Sequence, residues 1–122
     1  MEDSIIAALT RFDGLPIPAG VLDLDGRIVA VNAVGCTLLG RRAEDLVDRK
    51  AWTFAPGIEH VWAELVSLAH KSGVHTGEIA ISTPLAARTI RYVMSVKEAG
   101  RQSFVLAFAV DVTPHLGQTR VV

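Results

Sequence analysis

The most constraining stretch of this chain is LDLDGRIVAVN, residues 22–32. Two runs of alternating character, residues 19–24 and 27–31, flank Asp25-Gly26. That dipeptide predicts a hairpin, because glycine, and less readily aspartate, accepts the positive φ of a tight turn. Asn32 then occupies the N-cap position of a helix over 33–39 (AVGCTLL), where its side chain can accept from an early backbone N–H. Gly40 fits the residue just past the helix end. The pattern therefore changes from period two to period 3.6 at one identifiable residue.

The rest of the chain arranges itself around this hairpin. Residues 4–12 (SIIAALTRF) read as a short amphipathic helix, capped by Ser4, with Ile5, Ala8, Leu9 and Phe12 in one stripe and Gly14 at its end. The following Leu15-Pro16-Ile17-Pro18 cannot extend a helix. Residues 41–56 carry only short helical signals. The longest helix is expected over 58–72, with Ile58, Val61, Trp62, Leu65, Leu68 and Ala69 on one side at about 100° per residue. His70 and Lys71 suit its negative end, and Gly73 terminates it. Three strands close the chain, at 76–83, 88–97 and 102–113, joined through 84–87 and 98–100. Strands grouped at the two ends, without strand-helix alternation, give an α+β fold: an antiparallel sheet of about five strands with helices on one face.

Bulk properties narrow the function. The 122 residues suffice for one domain with a real core, half of them are hydrophobic, and the formal net charge is −1. Such a charge gives no electrostatic reason to bind nucleic acid. The basic pairs Arg41-Arg42 and Arg49-Lys50 are interrupted by Glu44, Asp45 and Asp48, as on a solvated face. The single cysteine, Cys36, permits no internal disulfide and points to a reducing compartment. The longest apolar run, 104–110, is too short to span a bilayer, and no signal peptide is evident. A cytoplasmic chain without membrane or nucleic-acid partners is expected, partitioned into an N-terminal flank (1–14), a domain (15–113) and a tail (114–122).

In this order the fragments resemble a PAS domain over residues 16–113. The resemblance is carried by the hairpin Asp23-x-Asp25-Gly26-Arg27-Ile28 and by Asn32 opening a helix that ends Leu38-Leu39-Gly40. Glu44-Asp45-Leu46-Val47, the Ser72-Gly73 stop and the closing Asp111-Val112-Thr113 complete it. It implies a five-stranded antiparallel sheet of order 2-1-5-4-3, cupped around a small cavity by the central helices. It also implies a sensory or dimerisation module that detects a small molecule, cofactor, redox change or light, and passes strain to an effector through its terminal segments. Pro114 directly after the Asp-x-Thr triplet departs from relatives that continue into a charged signalling helix. The last nine residues hold no heptad pattern, so an excised or solitary sensor is expected, its downstream effector lying outside this chain.

On that template, Trp52, Phe54, Trp62, Leu65, Tyr92, Met94, Leu106 and Phe108 are the candidate cavity residues, and Ala107 and Ala109 leave room among them. A small apolar or flat aromatic ligand would suit such a wall. Ligand-free packing of the same residues, in a scaffold for dimerisation or protein docking, is the alternative. Haem and flavin are lesser alternatives, and cofactor identity stays open. His60 lies roughly 160° around the long helix from its apolar stripe, and His70 sits in the last turn, so both are poor haem ligands. Cys36 lacks the Asn-Cys-Arg context of photoreactive flavin relatives and reads as a packed thiol. No metal site or catalytic constellation stands out. His60, His70 and His75 do not form H-E-x-x-H, Ser67 and Ser72 lack a nucleophile elbow, and Asp23 and Asp25 serve a turn. Ile5, Leu9 and Phe12 are candidates for a homodimer interface.

Overall fold

The computed structural model describes residues 16–113. The N-terminal helix expected over 4–12, with Ile5, Leu9 and Phe12, lies outside the described residues, as does the tail. The described chain runs β1 (Ala19–Asp23), β2 (Ile28–Val31), α1 (Ala33–Leu39), α2 (Ala43–Leu46), two 3₁₀ turns (Ala51–Thr53 and Pro56–Val61), α3 (Trp62–Ser72), β3 (His75–Ser82), β4 (Ala87–Ala99) and β5 (Gln102–Asp111). The strands form one antiparallel sheet in the order β2-β1-β5-β4-β3. The expected α+β class and strand order are both present.

The first hairpin forms, by a different turn from the one its dipeptide predicts. The Asp23 carbonyl accepts from Gly26 N at 3.1 Å, and Asp23 Oδ1 accepts from the backbone N–H groups of Asp25 and Arg27, each at 2.9 Å. Only Gly26 has positive φ, 87°; Asp25 does not. The connection is thus a three-residue loop closed by glycine, stabilised by a carboxylate that the simple hairpin pattern does not invoke. Gly26 is required twice over, since a Cβ there would lie 2.5 Å from the Trp52 ring.

Asn32 sits where the sequence puts it. Its Oδ1 accepts from Gly35 N at 2.8 Å and Ala19 N at 2.9 Å, while Nδ2 donates to the Ile17 carbonyl at 2.9 Å. With 1% exposure it is the buried polar residue of the described core, and its bonds fasten the start of β1 to the start of α1. Gly40 ends α1 with φ 67°.

The long helix begins later than expected. Residues Pro56–Val61 form a 3₁₀ turn, and α-helical geometry starts at Trp62. Proline near the N-terminus supplies no donor, and tight i→i+3 bonds such as Ile58 N to Ala55 O (3.1 Å) satisfy this entry. The apolar stripe shifts accordingly. Trp62 and Ala69 are buried and Leu65 half-buried, but Val61 and Leu68 are 37% and 39% exposed. Both lie about 100–120° around the axis from Trp62, and Val66 takes their place against the core.

The sheet has two apolar faces. On the concave face, Leu22, Val105, Ala109, Tyr92, Met94, Ile79 and Ile81 meet α3, Ile58, Ala55 and the end of α1. On the convex face, Val21, Phe104 and Leu106 cluster with Val29 and Phe108, all strand residues. Phe104, Val105 and Leu106 of β5 are therefore buried whichever face they take, as a central strand requires. The outer edge of β2 is covered by the segment 48–51, through Ile28 N to Arg49 O and Asp48 N to Ile28 O, both 2.8 Å. No helix among the described residues is long and apolar enough to cross a membrane.

Candidate functional site

Between α3 and the concave face lies a cavity of about 170 Å³. Its floor is built from small residues brought into register: Gly20 on β1 faces Ala107 on β5, which faces Met94 on β4, and Ala109 faces Tyr92. A sheet floor of Gly and Ala leaves a hollow that larger side chains around the rim cannot fill.

Of the eight candidates, Phe54, Trp62, Leu65, Tyr92 and Met94 line this hollow from the concave side, and Phe108 borders it while its side chain packs with the convex cluster; Trp52 and Leu106 do not line it. Leu106 falls on the convex face with Val21 and Phe104, because side chains alternate along β5 and its odd-numbered neighbours Val105, Ala107 and Ala109 point inward. Trp52 is drawn away by the segment that covers β2. It packs on Gly26, with Lys50 Nζ 5.2 Å from its ring centroid and the Trp62 ring edge-on at 6.4 Å. The walls also include Ile58, Ile79, Ile81, Ile90 and Leu38. Alternation in Ile79-Ala80-Ile81 signals two of these; the small floor residue Gly20 carries no such signal.

Three of the wall residues are held from behind. Trp62 donates its indole N–H to the Leu24 carbonyl at 2.8 Å. Phe54 is buried beneath the Arg41 guanidinium, 4.6 Å from its ring centroid, and Arg41 in turn donates to the Ser82 carbonyl at 2.8 Å. The Tyr92 ring lies across Gly77 of β3, where a Cβ would come within 2.6 Å of the hydroxyl oxygen. That hydroxyl meets His75 Nε2 at 3.3 Å, and burial raises the phenol above its ordinary pKa.

The other chemistry-bearing candidates lie elsewhere. His60 in the 3₁₀ turn and His70 in α3 are exposed, and neither lines the cavity, so neither is poised to ligate a haem inside it. Cys36 is half-buried on α1, against the cluster of Ile28, Leu46 and Phe54. Among the described residues no three His, Cys, Asp or Glu side chains gather as a metal site. At the far end of β5, Asp111 pairs with Arg88 at 3.1 Å, and its Oδ1 accepts from the Thr113 hydroxyl at 2.6 Å. Thr113 Oγ1 accepts from Thr89 N at 2.9 Å, locking the strand's exit against β4.

The family described as PAS fold matches residues 12–115. No curated protein matches the chain in sequence. Among solved structures, a PAS domain from Colwellia psychrerythraea is 24% identical with a TM-score of 0.76, covering 89% of this chain and 97% of that one. A PAS domain from a two-component sensor histidine kinase is 13% identical, TM-score 0.76, covering 90% and 97%. The PAS domain of Bordetella pertussis BvgS is 15% identical, TM-score 0.72, covering 97% and 93%. At these identities the structural likeness speaks to the fold.

Proposed function

This chain belongs to the PAS family of sensory and signalling modules, generally non-catalytic, and we propose that it is a sensor whose concave cavity receives a small apolar molecule. The observation that carries the reading is the 170 Å³ hollow itself, walled by aliphatic and aromatic side chains in an otherwise packed core. Protein interiors rarely leave voids larger than a water. A dry apolar cavity of about 150 Å³ takes up benzene. The size also favours a benzene-scale occupant over haem or flavin, because sites for drug-sized ligands start at about 300 Å³.

The response would travel through the terminal segments to an effector outside this chain. It requires that the ligand bind one packing arrangement better than another. Toluene titrated into the purified protein and followed by calorimetry tests the site, and denaturing extraction with mass spectrometry tests for a native occupant. A haem or flavin absorption band in the purified protein, or no uptake of toluene together with an empty extract, would remove the apolar-ligand reading.

A second reading rests on the convex cluster of Val21, Phe104 and Leu106. That cluster is itself buried, but Val93 and Val110 beside it are 37% and 56% exposed, and this apolar margin supports a homodimer in which Ile5, Leu9 and Phe12 of the flank take part, with the fold serving as a scaffold. Light scattering of the full chain and of a Leu9→Asp variant checks it: a dimer that turns monomeric supports the reading, and a wild-type monomer ends it. A cytoplasmic setting fits the single cysteine.

A further inference from the structure

The cavity wall contains almost no polar chemistry, and that scarcity identifies the residue that would choose the ligand. Among the described lining residues only two side chains carry a nitrogen or oxygen, Trp62 and Tyr92. An indole has one donor and no acceptor, and that of Trp62 is engaged by the Leu24 carbonyl at 2.8 Å. A phenol hydroxyl has one donor and two acceptor sites, and in Tyr92 it meets His75 Nε2 at 3.3 Å, long for such a bond. Among the described lining side chains, capacity for a further partner therefore remains at Tyr92. The backbone of β1, β4 and β5 is committed to the sheet ladder on both sides.

Geometry puts that point at the β3 margin. The Tyr92 ring can lean over β3 because residue 77 is glycine; a methyl group there would collide with the hydroxyl at 2.6 Å. His75 stands beside it, half-buried, with its ring centroid 5.8 Å from that of Tyr92. Among the described residues no Asp, Glu, Lys, Arg or His lines the hollow, so a charged ligand would enter without a counterion from them, at a prohibitive desolvation penalty.

We propose that Tyr92 is the specificity-determining residue of the cavity, and that the ligand class is a compact neutral molecule with a benzene-sized apolar body and one hydroxyl-type group, a phenol or similar. The body fills the space over Ala107 and Ala109, and the single polar group bonds the Tyr92 hydroxyl at the β3 margin. This rests on the reading of the cavity as a ligand site given above.

Phenol and toluene serve as matched probes, since they share size and differ in one polar group. Each is titrated by calorimetry into the wild-type protein and Tyr92→Phe, a substitution that keeps the ring and removes only the hydroxyl. The expected result is that Tyr92→Phe weakens phenol roughly three- to tenfold, the worth of one neutral hydrogen bond, and shifts toluene by less than about twofold. Toluene binding to both proteins, with phenol unaffected by the substitution or weakened no more than toluene, would overturn the role of Tyr92 and leave the site standing. Failure of both probes to bind the wild-type protein would remove the site and this proposal together.

Discussion

The indole N–H of Trp62 reaches the backbone carbonyl of Leu24 at 2.8 Å, joining the helix that roofs the cavity to the turn of the first hairpin, 38 residues earlier. One edge of that side chain lines the hollow and the other holds the Asp23–Gly26 turn, so whatever displaces the ring is felt at both. The Leu24 carbonyl loses this partner if the donor is removed, though Leu24, 43% exposed, leaves it open to water. Trp62→Phe is expected to destabilise the fold by about 1–3 kcal/mol, mainly through lost volume with a lost hydrogen bond beside it. Urea denaturation should show a lower midpoint with an unchanged slope.

Asn32→Ala removes at least three hydrogen bonds at once and leaves the N–H groups of Ala19 and Gly35 and the Ile17 carbonyl to find new partners. Loss of an N-cap alone costs about 1 kcal/mol, and each stranded buried group about 1–3 more. A total of roughly 3–7 kcal/mol is expected by chemical denaturation. Hydrogen exchange should accelerate first at Ala19 and Gly35.

Ala107→Leu adds three carbons to the cavity floor. In a tightly packed core such an insertion costs about 1–3 kcal/mol; above this hollow it is expected to be tolerated within about 1 kcal/mol and to abolish toluene uptake. Thermal melting and calorimetry on the same sample decide it. A large loss of stability would mean that the hollow collapses readily.

Tyr92 is the chain's one tyrosine, so phenolate absorbance in the near ultraviolet reads it alone. Burial raises its pKa in the folded state. The folded protein then holds this proton more tightly than the unfolded chain, and the contribution is fully present below the unfolded value of about 10. It is lost as pH rises from there through the folded pKa. Unfolding free energy should therefore fall with alkaline pH more steeply in the wild-type protein than in Tyr92→Phe. Identical slopes would show that the burial is not felt by the phenol.

Much of this was legible because its signals are local. Asn32 and Gly40 bracket α1 to the residue, since each end is set by one side chain or one backbone conformation. Strand identities followed from alternation and turn residues, and strand order followed from the resemblance. What escaped depends on non-local contacts. The run Phe104-Val105-Leu106 contains no polar residue to mark its phase, so sequence alone could not tell that Val105 faces the cavity and Leu106 the other side. Trp52 looked like any buried aromatic until residues 48–51 were seen to run along β2 and carry it onto Gly26. Pro56 is compatible with an α-helical or a 3₁₀ entry, and the choice shifted which residues form the stripe.

The strand order has a consequence for biosynthesis. β1 pairs with β5, and Asp23 stands opposite Phe104, so a growing chain exposes one flank of its first hairpin until nearly the whole domain has been made. Closing so long a loop is slow relative to helix or hairpin formation. During that interval the exposed strand is open to pairing with another nascent chain. Translation that stalls shortly before residue 102 would leave a hairpin, a roof and no keystone.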